Sequence, residues 1–573
     1  YGDDGHCTVS SSSGCHLSIV DKSLSLVGEG DGIGYGPPGA CGPGGCGGPA
    51  PTQSLVTLDG NASAGRVLSI SGSSNVTVKF LEITGGNLSG STRGDGGGIG
   101  FQGTGSLTLD ASSVDDNAAD YGAGINIDGS GDADHIATLT LAANTLIVGN
   151  TAAISGGGIR MEGHAQLFAL KPQTAIFYNH APGGYGGGIE VIGPARADIA
   201  SPGYNGDPVI QFNDAAYGGG IAAYAGGDNG QDTVVQLFTT DPAHPVQVSN
   251  NTASHTGGGI YLDPHYAFAE LSTATLCAFD FRIDNNIAQQ GAAIYADEGY
   301  FDYLGGTSYH GGVVALNVDE YGGQGLCGQQ NRNSLGAVHC RANVPCNTIH
   351  GNAAQDAGGQ ATAGSTILIQ KDGTLHASAF DMRGNEGAHV ISITGQTDGD
   401  DLPAYATLDD CLIADNSASD ELIELLGLFS DPASLDGCTV VGNAIGGTGI
   451  GFFDEVDDAL IFQPGKPIQA HAAQCVLADD ISLLEHNDTV RRLTDPEFVD
   501  PGHGNYHLQL TSPAVDFAGG VGGSDLEGYP RDTDLASVAN VFGPRDLGAY
   551  ERQLGLACDD DPDAIFCNGF EGS

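Results

Sequence analysis

The stretch that decides the fold is residues 176–189, which read IFYNHAPGGYGGGI. It joins two short phrases. The first is an aliphatic residue three positions before an asparagine, here Ile176 and Asn179, and the second is a glycine run that ends in isoleucine, here Ile189. Both phrases return along the chain, so this stretch is one copy of an internal repeat, which has to be recognised before any single element is assigned.

The asparagine phrase has ten copies, and in most of them the second residue after the asparagine is alanine. Successive asparagines are 27 to 38 residues apart, with one double step of 66. We interpret all ten as structural residues: Asn117, Asn150, Asn179, Asn213, Asn251, Asn286, Asn352, Asn385, Asn416 and Asn443. The glycine phrase keeps the same rhythm and ends at Ile99, Ile125, Ile159, Ile189, Ile221, Ile260 and Ile294.

The segments between these phrases have the pattern of strands. Residues 66–70 and 76–80 alternate at period two, are rich in β-branched side chains and are bounded by Gly, Asn and Ser. A period near 30 with short strands predicts an all-β, right-handed parallel β-helix, a pectate-lyase-like solenoid with N- and C-terminal caps. We expect each asparagine to adopt the left-handed conformation at a bend and to hydrogen-bond along the stack. The glycines would let coils approach closely.

The charge is strongly acidic, because 70 Asp and Glu against 18 Lys and Arg give −52. Such a chain would be repelled by nucleic acid and by anionic membrane surfaces, so neither is expected as a partner. Such a chain would attract cations, although carboxylates also keep a large extracellular protein soluble. No run of 18 or more apolar residues is present, so no transmembrane segment is predicted. The first residue, Tyr1, suggests a mature chain from which a signal peptide was removed.

The 13 cysteines lack metal-site spacing and predict disulfides, hence an oxidising compartment. Cys411, Cys438 and Cys475 each lie five residues before an asparagine-type position, so they should stack on consecutive coils. We expect a Cys411–Cys438 bridge there, with a three-thiolate metal site as the alternative. The remaining candidates are Cys7, Cys15, Cys41, Cys46, Cys327, Cys340, Cys346, Cys558 and Cys567.

Two resemblances follow from these motifs. The asparagine and Gly-Gly-Gly-Ile phrases resemble the repeats of chlamydial-type polymorphic outer-membrane proteins, which implies a surface-displayed β-helix. Near the C-terminus, the motifs resemble the terminal segment of secreted bacterial choice-of-anchor Q proteins, whose implied role is to close the end of the column. Those motifs occupy residues 495–501, 504–508, 512–516, 525–528 and 546–551.

The predicted organisation has four parts. An N-terminal cap with a Cys- and Gly-rich loop occupies residues 1–60, and the β-helix column occupies residues 61–480 with a long insertion at about 300–346. A closing segment spans residues 481–553, and an acidic, disulfide-containing tail spans residues 554–573.

No catalytic constellation or cofactor-binding motif is recognisable. The acids beside the repeated turns, Asp115, Asp116, Asp284, Asp415 and Asp479, are interpreted as solvated turn residues rather than as a glycosidase pair. No cofactor is predicted, but calcium could bind weakly at two acidic loops. These candidate ligands are Asp398, Asp400, Asp401, Asp559, Asp560 and Asp561.

The sequence therefore favours a non-catalytic structural protein, secreted or on a bacterial cell surface, that serves adhesion or self-assembly. Its partners would be further copies of itself or a glycan of a cell or host surface. The alternative is a polysaccharide-active enzyme or carbohydrate-binding β-helix that uses a groove lined by some of the 19 tyrosines. Carboxylates beside aromatic rings on one sheet face would favour this alternative.

Overall fold

The computed structural model shows a parallel β-helix. The structure describes residues 16–28, 55–62, 65–91, 94–129, 136–169, 173–201, 209–225, 232–239, 245–263, 274–297, 313–316, 347–370, 373–394, 405–426, 434–446, 450–451, 460–462, 468–469, 490–491, 497–519, 525–527 and 529–553. The chain divides into two compact units. Unit 1 comprises residues 1–236, 246–261 and 265–274, and unit 2 comprises residues 237–245, 262–264 and 275–573.

A typical coil of unit 1 has four strands: Ile125–Gly129, Ala137–Leu141, Leu146–Val148 and Thr151–Ser155. Each strand pairs in parallel with the equivalent strand of the next coil, as in Ile125 opposite Ile159 and Ile147 opposite Ile176. We call these the first to fourth strands of a coil. Parallel pairing is expected when each strand returns only after a full circuit of the chain.

The strands of unit 1 follow this order. First and second strands are Leu17–Val20, Ser23–Val27, Leu68–Lys79, Ile99–Asp110, Ile125–Gly129, Ala137–Leu141, Ile159–Gly163, Ala165–Ala169, Ile189–Ile192, Arg196–Ser201 and Ile221–Tyr224. Third strands are Val56–Asp59, Leu81–Thr84, Ser113–Asp115, Leu146–Val148, Ala175–Phe177, Val209–Gln211 and Val246–Ser249. Fourth strands are Ala118–Tyr121, Thr151–Ser155, His180–Tyr185, Asp214–Tyr217 and Thr252–Thr256.

Unit 2 has the same order. First and second strands are Ile294–Ala296, Val313–Leu316, Ser365–Gln370, Thr374–Ser378, His389–Thr394, Tyr405–Asp409, Ile423–Leu426, Ser434–Asp436, Ile450–Gly451 and Ile468–Gln469. Third strands are Phe281–Asp284, Thr348–His350, Asp381–Arg383, Leu412–Ala414, Thr439–Val441, Leu460–Phe462 and Val490–Arg491. Fourth strands are Ile287–Ala288, Ala353–Ala354, Glu386–Gly387, Ser417–Ala418 and Ala444–Ile445. Thr233–Thr239, Ile260–Asp263 and Ala274–Ala278 contain residues of both units.

The core consists of like side chains stacked from coil to coil. Ile125, Ile159, Ile189 and Ile221 occupy one register position, and each is fully buried. Alternate residues of a strand face opposite sides of the sheet, so the residue that follows each of these isoleucines faces outward. Burying each isoleucine contributes about 1.5–3 kcal/mol, so the stack is a large part of the stability of each unit.

The prediction that the repeated asparagines adopt the left-handed conformation was wrong by one position. The left-handed residue is the one before the asparagine, such as Asp116, Gly149, Tyr178 and Asp415, with φ between 51° and 67°. That residue lies on the outside of the bend, where its side chain reaches solvent. The bend then turns the following asparagine inward, and Asn150 and Asn179 are completely buried.

The glycine run has two steric causes, which are visible at residues 186 and 187. Gly186 has a φ of 62°, in the left-handed region that disfavours side chains. A Cβ on Gly187 would lie 2.5 Å from the carbonyl oxygen of Asp214 and 2.6 Å from that of Gly219. The glycines therefore allow this corner of one coil to approach the backbone of the next coil.

The C-terminal part of unit 2 contains an antiparallel pair, Phe498–Asp500 and Asn505–Leu508, joined by the 3-10 turn Pro501–His503. Its apolar residues pack with Leu412, Ala414 and Val441, which lie on the third strands of two coils. The segment thus covers the side of these coils. Its predicted role in closing the end of the column stays a prediction, because most of residues 447–496 lie outside the described residues.

The predicted N-terminal cap is described only in part. Its strands Leu17–Val20 and Ser23–Val27 pair in parallel with the strand Leu68–Lys79, and Val56–Asp59 pairs with Leu81–Thr84. These described residues are therefore coils of the β-helix, while the Cys- and Gly-rich loop lies outside the described residues.

Candidate functional site: a polar and aromatic face of unit 1

The ten repeated asparagines form two hydrogen-bonded ladders, one in each unit. In unit 1, each side-chain amide nitrogen donates to the side-chain oxygen of the next asparagine at 3.0 Å, linking Asn117, Asn150, Asn179, Asn213 and Asn251. The amide of Asn179 also donates to the carbonyl oxygen of Ile147, and its side-chain oxygen accepts the backbone N–H of Asn150. These buried amides therefore satisfy the backbone at every bend.

The ladder of unit 2 links Asn286, Asn352, Asn385, Asn416 and Asn443 at 2.9–3.0 Å. Asn286 donates directly to Asn352, although 66 residues separate them. The double step in the repeat is thus one coil with a long insertion. Since the ladder residues are buried and fully engaged, they hold the scaffold and are not available to a ligand.

Cys411 and Cys438 form a disulfide between neighbouring coils of unit 2, with their Cα atoms 4.4 Å apart. Cys277, which was not among the sequence candidates, is also disulfide-bonded. The other candidates lie outside the described residues: Cys7, Cys15, Cys41, Cys46, Cys327, Cys340, Cys346, Cys558 and Cys567, as does Cys475. So do the calcium candidates Asp398, Asp400, Asp401, Asp559, Asp560 and Asp561.

The interpretation of the turn acids as solvated was wrong for Asp284. Asp284 is only 7% exposed and accepts hydrogen bonds from the hydroxyl of Thr348 and the backbone N–H of His350. Asp415 is exposed, and it also accepts a hydrogen bond of 2.8 Å from the phenol of Tyr506. Each of these two acids is therefore bonded to a neighbouring segment. Asp479 lies outside the described residues.

The outward face of the first strands in unit 1 carries two rows of side chains. One row is formed by Gly100, Asn126, Arg160, Glu190 and Ala222, and the adjacent row by Gln102, Asp128, Glu162, Ile192 and Tyr224. Five different coils thus contribute to this face, in which Arg160 and most of the second row reach solvent while the rest of the first row is buried. Sequence reasoning missed these rows because coil length varies, so outward neighbours cannot be counted before the strand register is known.

Arg160 lies at the centre of this face, between two carboxylates. Its guanidinium is 2.6 Å from Glu162 and 3.1 Å from Glu190, and Glu190 also accepts hydrogen bonds from Ser155 and Tyr224. Burial alone would lower the pKa of Arg160, but the two glutamates outweigh it and the pKa is raised. Burial, followed by Glu190, raises the pKa of Tyr224 well above its ordinary value, so its phenol stays a neutral donor.

Four tyrosine rings gather beside this ion pair. Tyr185 stacks on Tyr217 with ring centroids 4.8 Å apart and meets the edge of Tyr224 at 4.8 Å. Tyr217 stacks in turn on His255 at 5.3 Å and contacts Tyr261 at 5.6 Å. Tyr185 and Tyr217 are half-buried and His255 is exposed. The signal was present in the sequence, since Tyr185 and Tyr217 directly precede Gly-Gly-Gly.

The polar end of the face is concave. A cleft of about 500 Å³ is lined by Arg66, Ser69, Ile70, Ser71, Leu88, Asp95, Gly100, Phe101, Gln102, Asn126 and Asp128. Arg66 donates to the backbone carbonyl of Gly96 at 3.0 Å, and Gln102 donates to Asp128 at 2.9 Å. Burial raises the pKa of Asp128, and nearby Glu162 adds to this effect. Asn126, which accepts a hydrogen bond from Arg160, connects the cleft with the tyrosine cluster.

A separate pair of acids lies on the third strands of unit 1. Asp115 lies near Glu82 of the neighbouring coil, and burial, followed by the charge of Glu82, raises the pKa of Asp115 to about 7. Asp115 accepts a hydrogen bond from Ser113, and Glu82 accepts one from Thr57, so each carboxylate is held by a neighbouring hydroxyl of the scaffold.

Comparison with protein-family models and with curated proteins finds no match to this chain. In the part of the chain that the structure describes, no helix is long and apolar enough to cross a membrane.

Proposed function

We propose that this protein is a non-catalytic, glycan-binding β-helix that is secreted or displayed on a cell surface and serves adhesion. The observation that carries the proposal is the continuous face of unit 1, where a polar cleft adjoins a cluster of tyrosine rings. Sugars present apolar ring faces and fixed pairs of hydroxyls. Binding sites for such ligands combine apolar and aromatic surface with a few well-placed polar groups.

The polar groups of the face suit hydroxyl recognition. Arg66, Gln102, Asn126 and Asp128 are planar groups that can donate or accept two hydrogen bonds, and they line the same cleft. Two of them are already oriented, since Arg66 and Gln102 are held by hydrogen bonds within the protein. A preorganised site loses less entropy on binding, which favours a rigid scaffold of this kind.

Charge limits the class of glycan. The formal charge of −52 would repel a polyanionic polysaccharide, and the arginines of the face are already close to carboxylates. A neutral or amino-sugar chain is therefore the better ligand. The disulfides at Cys411–Cys438 and Cys277 support an oxidising, extracellular location. Self-assembly into fibres or layers stays a prediction from the sequence.

The geometry of Glu190 argues against catalysis at this face. Glu190 is 2% exposed, and its two oxygens are engaged by Tyr224, Ser155 and Arg160. A general acid has to reach the proton acceptor of its substrate directly or through one water. Glu190 therefore supports Tyr224 and Arg160 from below the surface.

The proposal is tested by binding of the full chain to a panel of neutral, amino-sugar and acidic oligosaccharides, followed by calorimetry on the best ligand. We expect Tyr217→Ala to weaken binding about tenfold, the loss of roughly 1.4 kcal/mol that one aromatic contact can supply. The matched control is Tyr178→Ala, because Tyr178 also stacks on a neighbouring ring, that of Phe212 at 5.2 Å, but lies on a different bend.

Tyr217→Phe should bind as the wild type, because it keeps the ring. Equal weakening by Tyr217→Ala and Tyr178→Ala, or absence of binding to every oligosaccharide, would overturn the proposal. Circular dichroism on each variant separates a lost contact from a lost fold.

A further inference from the structure

A second cluster of polar side chains lies in unit 2, on two neighbouring coils. His389 begins the first strand of one coil, and Glu424 lies on the first strand of the next coil, with Glu421 just before that strand. One side-chain ligand atom from each of the three residues can be chosen so that all lie within 4.8 Å of one another. His389 is buried, whereas both glutamates are partly open to solvent.

The hydrogen bonding fixes the roles of the two imidazole nitrogens. Nδ1 of His389 lies 3.0 Å from the backbone carbonyl oxygen of Glu421. A carbonyl oxygen only accepts, so Nδ1 carries a proton and donates it. Nε2 lies 3.5 Å from Oε2 of Glu424. In the neutral ring, Nε2 is an acceptor, so a lone pair faces a carboxylate oxygen.

Two acceptors that face each other at this distance repel, and a positive species between them would stabilise the arrangement. This species can be a proton, which would make His389 an imidazolium ion, or it can be a metal ion. The imidazole and carboxylate are both good ligands for a divalent transition metal. With bonds of 2.0–2.1 Å in a tetrahedron, the ligand atoms of zinc stand about 3.3 Å apart, close to the 3.5 Å seen here.

The surroundings also resemble those of a metal ligand. The bond from Nδ1 to a backbone carbonyl is the usual support of a metal-binding histidine, which it orients and makes more basic. Ser392 donates a hydrogen bond of 2.6 Å to Oε2 of Glu424, which orients that carboxylate as well. The strand register places Ser392 directly opposite Glu424. Each of these two candidate ligands thus has a supporting group.

We infer that His389, Glu421 and Glu424 form a binding site for one divalent transition ion of the zinc class. Nε2 of His389 and Oε2 of Glu424 would be the first two protein ligands, since they already face each other. An oxygen of Glu421, whose Oε2 lies 3.8 Å from Nδ1 of His389 in the structure, would be the third, with water at the remaining position. The ion would join two coils of unit 2 and neutralise two adjacent carboxylates. A harder ion such as calcium prefers a set of oxygen ligands without imidazole, so it is the weaker candidate.

Cobalt(II) is the best probe, because its visible absorption reports the geometry and the ligands of the site. The full chain, stripped with a chelator, is titrated with cobalt(II) and then with zinc(II) in competition. We expect one equivalent to bind, with an absorption band that zinc removes. Glu424→Gln and His389→Gln should each weaken binding by more than tenfold. Ser392→Ala, which removes only a supporting group, should weaken it by about ten- to a hundredfold at most.

Two control variants make the same kinds of substitution at positions outside the proposed site. Glu386→Gln removes an exposed carboxylate from the same unit, and His503→Gln removes a histidine whose side chain is 87% exposed. Both should bind cobalt as the wild type does. Melting curves without metal identify any variant that fails to fold. If His389→Gln is unfolded, the cobalt affinity of Ser392→Ala relative to the wild type tests the site instead.

The absence of stoichiometric binding, or binding that survives in both Glu424→Gln and His389→Gln, would overturn the inference. If no metal binds stoichiometrically, the positive species is the proton on His389, and the cluster is an ion pair.

Discussion

The two units have the same kind of asparagine ladder, but they differ in the corner, the segment that follows each ladder asparagine. This difference separates the residues that hold the fold from the residues that we propose carry the function. In unit 1, the corner between a ladder asparagine and the next inward isoleucine runs from Asn179 to Ile189, and its fourth strand, His180–Tyr185, has 6 residues. In unit 2, the corner from Asn385 to Ile391 contains the fourth strand Glu386–Gly387. Each fourth strand described in this unit has 2 residues, even where the corner is long, as from Asn352 to Ile367.

The longer corner supplies the positions of Tyr185 and Tyr217, and it requires the glycines that follow them. The shorter corner has no such positions. Unit 2 instead has a disulfide across two coils and a C-terminal segment that packs on its third strands. The asparagine ladder therefore tolerates large changes at the corner, and the corner is where side chains for binding can be added without disturbing the core.

The largest effect is expected from breaking a ladder, and it should be similar in both units. Asn179→Ala in unit 1 and Asn385→Ala in unit 2 each leave a backbone N–H and a carbonyl oxygen without partners in the core. At about 1–3 kcal/mol for each orphaned group, we expect a loss of roughly 3–5 kcal/mol. Hydrogen exchange with mass spectrometry would measure the loss and locate it in the altered unit.

Asn75→Ala is the control for both ladder variants, because Asn75 is exposed and its side chain hydrogen-bonds to the hydroxyls of Ser23 and Ser106. It should change the free energy of unfolding by less than about 0.5 kcal/mol. A ladder variant as stable as this control would show that the ladder does not hold the coils.

A second expected effect distinguishes the units. Replacing Cys411 and Cys438 together by serine opens a link between residues 27 positions apart in unit 2. Loops of this size are worth about 3 kcal/mol when closed by a disulfide. Hydrogen exchange should become faster around Cys411 and stay unchanged around Asn179. Equal acceleration in the two regions would contradict the assignment of this link to unit 2.

Much of the fold could be predicted from the sequence, because the repeat places one asparagine in each of ten successive coils and a core side chain three residues earlier. The conformation of the bend could not be predicted. Asparagine tolerates positive φ, but this does not show which of two adjacent residues adopts the left-handed conformation. The candidate site was anticipated only as a groove lined by some tyrosines. The contact of Arg160 with Glu190 joins neighbouring coils, and it becomes visible only once the register is known.

A third, smaller effect tests the steric role of the long corner. Gly187→Ala would bring a Cβ within 2.6 Å of two backbone carbonyl oxygens, neither of which can rotate away. We expect a loss of about 1–3 kcal/mol, measured by urea unfolding followed by circular dichroism. Gly183→Ala is the matched control, since its Cβ would have its nearest contact at 3.5 Å. If the two variants unfold alike, the corner is less closely packed than the structure implies.

The smallest effect concerns pH and the C-terminal segment of unit 2. Burial raises the pKa of Asp525 to about 7, against the opposing influence of Arg531. The folded state then binds its proton more tightly than the unfolded state, so stability is greatest below the unfolded pKa and falls as the pH rises towards 7. We expect a loss of about 1 kcal/mol per pH unit between pH 5 and pH 7, near the limit of 1.4 for one proton.

Asp525→Asn should reduce this pH dependence for amides of residues 525–553, whereas the pH dependence of unit 1 should be the same in the variant as in the wild type. A C-terminal segment that becomes more stable as the pH rises from 5 to 7 would contradict the assigned direction of the shift.

The most direct test of the account is a crystal structure of the full chain with the oligosaccharide that binds best. We expect electron density for sugar rings along the first strands of unit 1, between the cleft at Arg66 and the rings of Tyr185 and Tyr217. We also expect both asparagine ladders to remain intact beneath it. Sugar bound on unit 2 alone, with the face of unit 1 empty, would contradict the claim that the long glycine corner carries the function.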